Sequence, residues 1–307
     1  MKVIVLMSTY NGEKYIKEQI ESILLQKTKE NVRVELLVRD DGSSDKTMEI
    51  LKEYSLEGKL HWYTGTNKGP EKSFWDLVNS ATNDADYYAF CDQDDYWFED
   101  KLQMAIDKLE TETSIVQPLL YIGNFVKTDA ELNPISNTNI RKNIYTDFAH
   151  SLVYSSAPGC TFVFNNLARN EFLKYDINRN FVIMHDWLAH KITLINGKMI
   201  VDDRPSMFYS QHGNNVIGAH PSGVKGFIKR VKRFLIGSSK RVRSDSARSI
   251  LSVYENELTD DKKFLLDLVA NYRFSSSKMK RMLLSSDFNH GFIDDMFFKL
   301  LILMKRV

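Results

Sequence analysis

The chain has 307 residues, 43% hydrophobic and 26% charged, an ordinary globular composition that excludes wholesale disorder. Its two cysteines, Cys91 and Cys160, exclude a disulfide framework and a four-cysteine zinc site. The net charge of +1 hides an asymmetry, since residues 1–220 carry 23 Lys and Arg against 31 Asp and Glu, and residues 221–307 carry 18 against 9.

An acidic body argues against nucleic acid as a partner, whereas a basic tail invites an anionic one such as a membrane surface. The apolar runs nearest the ends, 3–7 and 300–304, fall far short of the roughly 20 residues that span a bilayer. No signal-peptide pattern opens the chain, so a cytoplasmic location is expected.

In chain order, residues 2–7 form an apolar run that reads as a buried strand. Residues 13–26 place Ile16, Ile20, Ile23 and Leu24 at helical spacing. A second strand is expected over 33–39. Asp45 is placed to cap a following helix whose apolar face holds Met48, Ile50, Leu51 and Tyr54. A strand at 59–64, a helix at 71–80 and a strand at 86–91 continue the alternation. This rhythm predicts a mostly parallel sheet with helices on both faces. Strands are further expected at 119–126, 159–164 and 199–202, with a helix over 186–195. Gly and Ser punctuate 213–239, and the remainder reads as helical.

Ligands of such sheets sit at the carboxyl ends of the strands. The fourth strand ends in Asp92-Gln93-Asp94-Asp95-Tyr96-Trp97. Carboxylates two apart after a strand end can converge on one hard divalent cation, Mg²⁺ or Mn²⁺. Three clustered carboxylates repel one another without a cation, although a merely solvated acidic loop is the plainer account. A calcium-binding loop does not fit, because Tyr96 and Trp97 stand where it needs an acid and a glycine. The second strand ends in Asp40-Asp41-Gly42-Ser43-Ser44-Asp45. A carboxylate there can accept from a base imide or a ribose hydroxyl, or it can form an Asx turn and helix cap. Ser8-Thr9-Tyr10-Asn11-Gly12 closes the first strand in a similar way.

Taken together, STYNGEKY at 8–15, VRDDGSSDKT at 38–47, NKG at 67–69 and FCDQDDYW at 90–97 resemble the nucleotide-sugar domain of glycosyltransferase family 2, of the GT-A type. Order and spacing match, and the resemblance covers residues 1 to about 215. It implies nucleotide contacts from Thr9, Tyr10, Asn11, Glu13, Asp40, Asp41, Asn67 and Asp92, with Asp94 as principal metal ligand. HDW at 185–187 and QHGNN at 211–215 are similar to segments of rhamnosyltransferase-like members. By that likeness Asp186 is the general base and His212 a metal or diphosphate ligand. Asp95, Trp97, Gly159, Cys160 and Trp187 then line the donor and acceptor pocket. A helix N-terminal acid, a surface histidine and a plain core strand are the simpler readings of Asp186, His212 and 159–161.

The expected fold is therefore α/β, with a Rossmann-like GT-A domain over 1–220 and a basic, helical C-terminal extension over 221–307. The implied reaction is metal-dependent hexosyl transfer with inversion, onto a hydroxyl of a lipid-linked bacterial surface glycan. The implied donor is dTDP-rhamnose, with UDP-galactose or a UDP-N-acetylhexosamine as the alternative. A non-catalytic sugar-nucleotide-binding scaffold and a metal-dependent phosphohydrolase are the readings from other classes. In the tail, Val224, Phe227, Ile228, Val231, Phe234 and Leu235 fall on one helical face and Lys225, Lys229, Arg230, Lys232 and Arg233 on another. Such a helix can lie in a membrane interface or pack on the protein.

Overall fold

The computed structural model describes residues 1–112, 114–135, 144–155, 157–211, 241–289 and 291–307. His212 and the amphipathic stretch 224–235 lie outside the described residues. Two compact units form, residues 1–146 with 155–210, and residues 147–154 with 211–307.

The first unit opens with β1 (Lys2–Thr9), α1 (Ile16–Leu24), β2 (Arg33–Asp40), α2 (Thr47–Leu56), β3 (His61–Thr64), α3 (Pro70–Ser80) and β4 (Tyr87–Cys91). The apolar runs of β1 and β4 are buried on both faces, as central strands of a sheet covered on two sides require, whereas β3 is an exposed edge. The first helix starts later than its periodicity suggests. Tyr15 and Ile16 both donate their N–H groups to the Gly12 carbonyl, so 12–15 form a turn before α1. Asp45 caps α2 from one residue before the N-cap, accepting from the Thr47 N–H at 3.0 Å.

The second half of the sheet comprises β5 (Tyr96–Trp97), α4 (Lys101–Glu110), β6 (Leu119–Thr128), β7 (Phe162–Asn165), α6 (Asn166–Leu173), α7 (His185–Asn196) and β8 (Lys198–Ser210), with α5 (Phe148–Val153) intervening in sequence. Eight strands run in the order β3-β2-β1-β4-β7-β6-β8-β5. The β3-β2-β1-β4 half is parallel. Beyond β4 the sheet is mixed, because β7 lies antiparallel between β4 and β6, and β5 pairs antiparallel with β8. The expected strand over 159–164 begins at Phe162, and Gly159–Thr161 forms one 3-10 turn. The expected strand over 199–202 extends to Ser210.

The core joins both halves. Val3, Val5, Met7, Val38, Ala89, Cys91, Trp97, Leu102, Ile106, Tyr121, Cys160 and Val163 belong to one buried apolar cluster. Burial of that area supplies the main driving force of folding.

The second unit gathers α5 with α8 (Val242–Tyr254), α9 (Asp260–Asn271), α10 (Ser276–Leu284) and α11 (Phe292–Leu303). Ile250, Tyr254, Leu266, Val269, Tyr272 and Ile302 form its buried side chains. The described part of the basic stretch is used internally. Arg243 donates Nε to the Val153 carbonyl at 2.7 Å, and Arg248 reaches both Asp245 and the Ala270 carbonyl. Among the described residues, no helix is long and apolar enough to cross a membrane.

Candidate active site

Register brings the acidic segments together. In the parallel ladder Thr9 lies opposite Asp40 and Met7 opposite Cys91. Thus β1, β2 and β4 end side by side, and their following loops share one rim of the sheet.

Gln93 ties two of these loops. Its Oε1 accepts from Thr9 Oγ1 at 2.6 Å and from the Tyr10 N–H at 2.9 Å, and its Nε2 donates to the Tyr10 carbonyl at 3.2 Å. A Cβ on Gly12 would lie 2.3 Å from that same Oε1, so the close approach of the loops requires glycine there. Asn11 takes a positive φ of 48°, a conformation that asparagine tolerates better than most residues. Its Oδ1 accepts from the Ser44 N–H and its own N–H donates to Ser43 Oγ. Glu13 accepts from the Lys46 N–H. Asn11 and Glu13 therefore bind the first loop to the second.

Asp40 is fully buried. Its carboxylate accepts from the Gly42 and Ser43 N–H groups and from the hydroxyls of Ser43 and Thr64. This is the Asx turn that the sequence left open. Gly42 completes it with φ of 83°. Asp41 is 3% exposed and pairs with the buried Arg39 guanidinium. It also accepts from the Lys68 and Gly69 N–H groups, which fixes the loop bearing Asn67. Arg39 further donates to Ser73 Oγ and the Thr66 carbonyl. The exposed Tyr10 ring and the exposed Asn67 stand at the surface of this frame.

The fourth-strand loop is more strained electrostatically. Asp92 and Asp94 are partly exposed and Asp95 is buried. Burial, and then the charges of Asp94 and Asp186, push Asp92 up to about 7. Burial, and then Asp94 and Asp92, hold Asp95 well above the usual carboxylate range. Desolvation and like charges both disfavour ionisation. Asp95 Oδ1 accepts from the Ser210 N–H at 3.1 Å, while its buried Oδ2 has no hydrogen-bond partner among the described residues. Nearby, Lys101 is completely buried, with Nζ 3.4 Å from Met207 Sδ and 4.7 Å from the centre of the Trp97 ring. Burial lowers it to about 8, against the opposing pull of Cys160, Cys91 and Asp95.

Asp186 occupies the first turn of α7, where the helix dipole favours a carboxylate. It is 7% exposed, and its charge acts on Asp92 although 94 positions separate them. Trp187 is buried beneath the Lys191 ammonium, which lies 4.0 Å from its ring centre. Trp97 is 1% exposed and belongs to the apolar core, so it supports the loop from below. Gly159 is required by packing, because a Cβ there would lie 2.2 Å from His185 Nε2.

Asp92, Asp95 and Cys160 place one ligand atom each within 4.8 Å of one another. An oxygen-rich set with an orphaned buried carboxylate oxygen fits a divalent cation. Asp94, which the resemblance names as principal ligand, stands outside this trio but acts electrostatically on two of its members. Gln93, Arg39, Lys101 and Ser210 were not singled out from the sequence. The polar character of Gln93 between two aspartates is the one local signal that could have drawn attention to it.

Comparison with known proteins gives concordant matches. The family description "Glycosyl transferase family 2" matches residues 4–170. The dTDP-rhamnosyl transferase RfbG of Shigella flexneri is 31% identical over 266 residues, which is 83% of this chain and 85% of that protein. An uncharacterized protein of Mycobacterium bovis is 25% identical over 68% of this chain and 58% of its own length. Among solved structures, S. aureus TarS 1–349 in complex with UDP-GlcNAc superposes with a TM-score of 0.58 at 17% identity, covering 98% of this chain and 81% of that one. The complex of the same protein with UDP gives 0.57 at 18% identity, over 94% and 74%. At that identity the likeness is one of fold.

Proposed function

The chain belongs to glycosyltransferase family 2, in its rhamnosyltransferase-like part, and from that premise we propose that it transfers one rhamnosyl unit from dTDP-rhamnose to a hydroxyl of a lipid-linked surface glycan. The observation that carries this reading is that Asp186 lies near enough for its charge to raise Asp92. It sets a carboxylate on a separate helix beside the acidic rim where family members hold their donor. The likeness to RfbG supports the rhamnosyl donor. The UDP and UDP-GlcNAc complexes of TarS favour a UDP-sugar as the second reading.

The chemistry follows from these positions. Asp186 accepts the proton of the attacking hydroxyl, and the oxygen displaces the nucleoside diphosphate from the opposite side of the anomeric carbon. One base and one displacement give inversion, without a covalent enzyme intermediate. Tyr10 and Asn67 are exposed for nucleotide contact, while Asp40 and Asp41 shape the rim from beneath. A divalent cation held by the acidic loop would offset the charge developing on the leaving diphosphate. Its holders would be Asp92 and Asp95, with Asp94 alongside and, by the family resemblance alone, His212. An acceptor hanging from a lipid would bring the enzyme to the inner face of the cell membrane, and Lys229, Arg230, Lys232 and Arg233 would meet that surface.

The test pairs a donor panel with Asp186→Asn. Nucleoside diphosphate release should depend on acceptor and be greatest with dTDP-rhamnose. Asp186→Asn should lower turnover by about two to four decades and leave donor affinity unchanged. A variant with intact turnover and weakened donor binding would remove Asp186 from the base role. Preference for a UDP-sugar would replace the donor.

A further inference from the structure

Cys160 belongs to the buried core cluster and also borders the acidic loop. It sits in the 3-10 turn before β7, completely buried, and faces the carboxyl groups of Asp92 and Asp95 within the same 4.8 Å cluster. Asp95 aims an unpartnered Oδ2 from a side chain that is 3% exposed. A buried carboxylate oxygen without a donor is costly, and in native proteins such an atom calls for an explanation. Three features thus converge: two oxygen donors, one sulfur donor, and an orphaned lone pair.

We infer that Cys160 is a metal ligand, and that Asp92, Asp95 and Cys160 form a mixed oxygen and sulfur site that takes a transition-metal dication in preference to Mg²⁺. The inference deepens the reading of a metal-dependent transferase, but it concerns the metal alone and is tested without sugar donor or acceptor. Hard cations such as Mg²⁺ favour all-oxygen shells, whereas a thiolate favours the softer first-row ions. On binding, the thiol loses its proton to solvent and the metal–sulfur bond takes its place, so the Cys160 side of the site gains one negative charge and the dication one ligand. Lys101, buried against Met207 and Trp97, supplies positive charge behind the cluster. Two carboxylates, one thiolate, a dication and one ammonium then balance to zero.

The probe is Co²⁺ added to the full chain, free of nucleotide. A thiolate ligand produces a sulfur-to-cobalt charge-transfer band in the near ultraviolet, and carboxylates do not. The wild type should show this band saturating at one Co²⁺ per chain. Cys160→Ser should lose the band and keep weakened Co²⁺ binding by calorimetry, with its preference for Mn²⁺ over Mg²⁺ reduced about tenfold or more. Cys91→Ser, which alters the other buried thiol, should retain the band. Asp95→Asn should weaken Co²⁺ affinity without abolishing the band. A wild type that binds Co²⁺ without the band, or a band lost with Cys91→Ser and kept with Cys160→Ser, overturns the assignment. Failure of transfer with dTDP-rhamnose would leave this measurement untouched, so the two readings fail separately.

Discussion

Gln93 shows how a residue between two acids organises both. Its amide fixes Thr9 and Tyr10 on the neighbouring strand end through three hydrogen bonds. Replacing it with Ala should cost about 1–2 kcal/mol of stability and loosen nucleotide binding. Gly12→Ala should be costly in the wild type, because its Cβ would meet Gln93 Oε1 at 2.3 Å. In a Gln93→Ala background the same change should cost markedly less. A double-mutant cycle measured by urea unfolding reads the coupling, and additive losses would place the clash elsewhere. On the same rim, next to Gln93, Asp94→Ala should lower turnover by about two to three decades, as removal of an electrostatic stabiliser does. Chelator-insensitive turnover of the wild type would contradict that role.

At the level of elements, α7 carries Asp186, the proposed base, next to a histidine that cannot be charged cheaply. His185 is 3% exposed and stacks on Phe74 at 3.9 Å between ring centres. Burial lowers it to about 3. Its folded value lies below the unfolded one, so its contribution to stability is complete above about 6.5 and is lost as pH falls toward 3. The slope approaches about 1.4 kcal/mol per pH unit in that window. The raised Asp92 and Asp95 act in the opposite sense, because the folded state holds their protons. The difference between wild type and His185→Phe therefore isolates the histidine, and the variant should lose less stability between pH 6.5 and 4.5. Parallel curves would show that His185 is solvated in the folded state.

Much of this architecture was legible because β1 to β4 alternate with helices whose apolar spacing is local. The pairing of β7 with β4 and β6, and of β5 with β8, was not legible, since partners lie up to about a hundred residues apart and leave no periodic trace. The site divides in the same way. Asp92, Asp94, Asp95 and Asp186 announce themselves as acids at strand and helix ends. Asp40 reads as a ligand or as a turn former, and its four acceptor contacts show the turn, which the sequence left open. Arg39 and Lys101 are charged residues whose burial no local pattern reveals.

For the whole molecule, the acidic first part and basic second part make the proposed approach to an anionic surface testable. Vesicles containing anionic lipid should pellet the wild type at low salt and release it as salt rises, with each basic residue near the surface worth about 1 kcal/mol. A variant with Lys229, Arg230, Lys232 and Arg233 changed to Gln should pellet less. Equal pelleting of both proteins would leave that stretch to internal packing.

The pairing of β5 with β8 also sets a schedule for biosynthesis. Tyr96 and Trp97 meet Phe208 and Met207, and Asp95 is anchored by the Ser210 N–H. The loop bearing Asp92, Asp94 and Asp95 is thus translated in the first third of the chain but clamped only by residues made near its two-thirds point. Long-range strand pairing is slow to form, so a nascent chain that already displays β1 to β4 still lacks a finished acidic loop. Ribosome-stalled chains with residues 1–190 exposed should fail to retain nucleotide sugar, and chains exposing 1–211 should begin to hold it. Donor capture by the shorter chain would show that the clamp is dispensable.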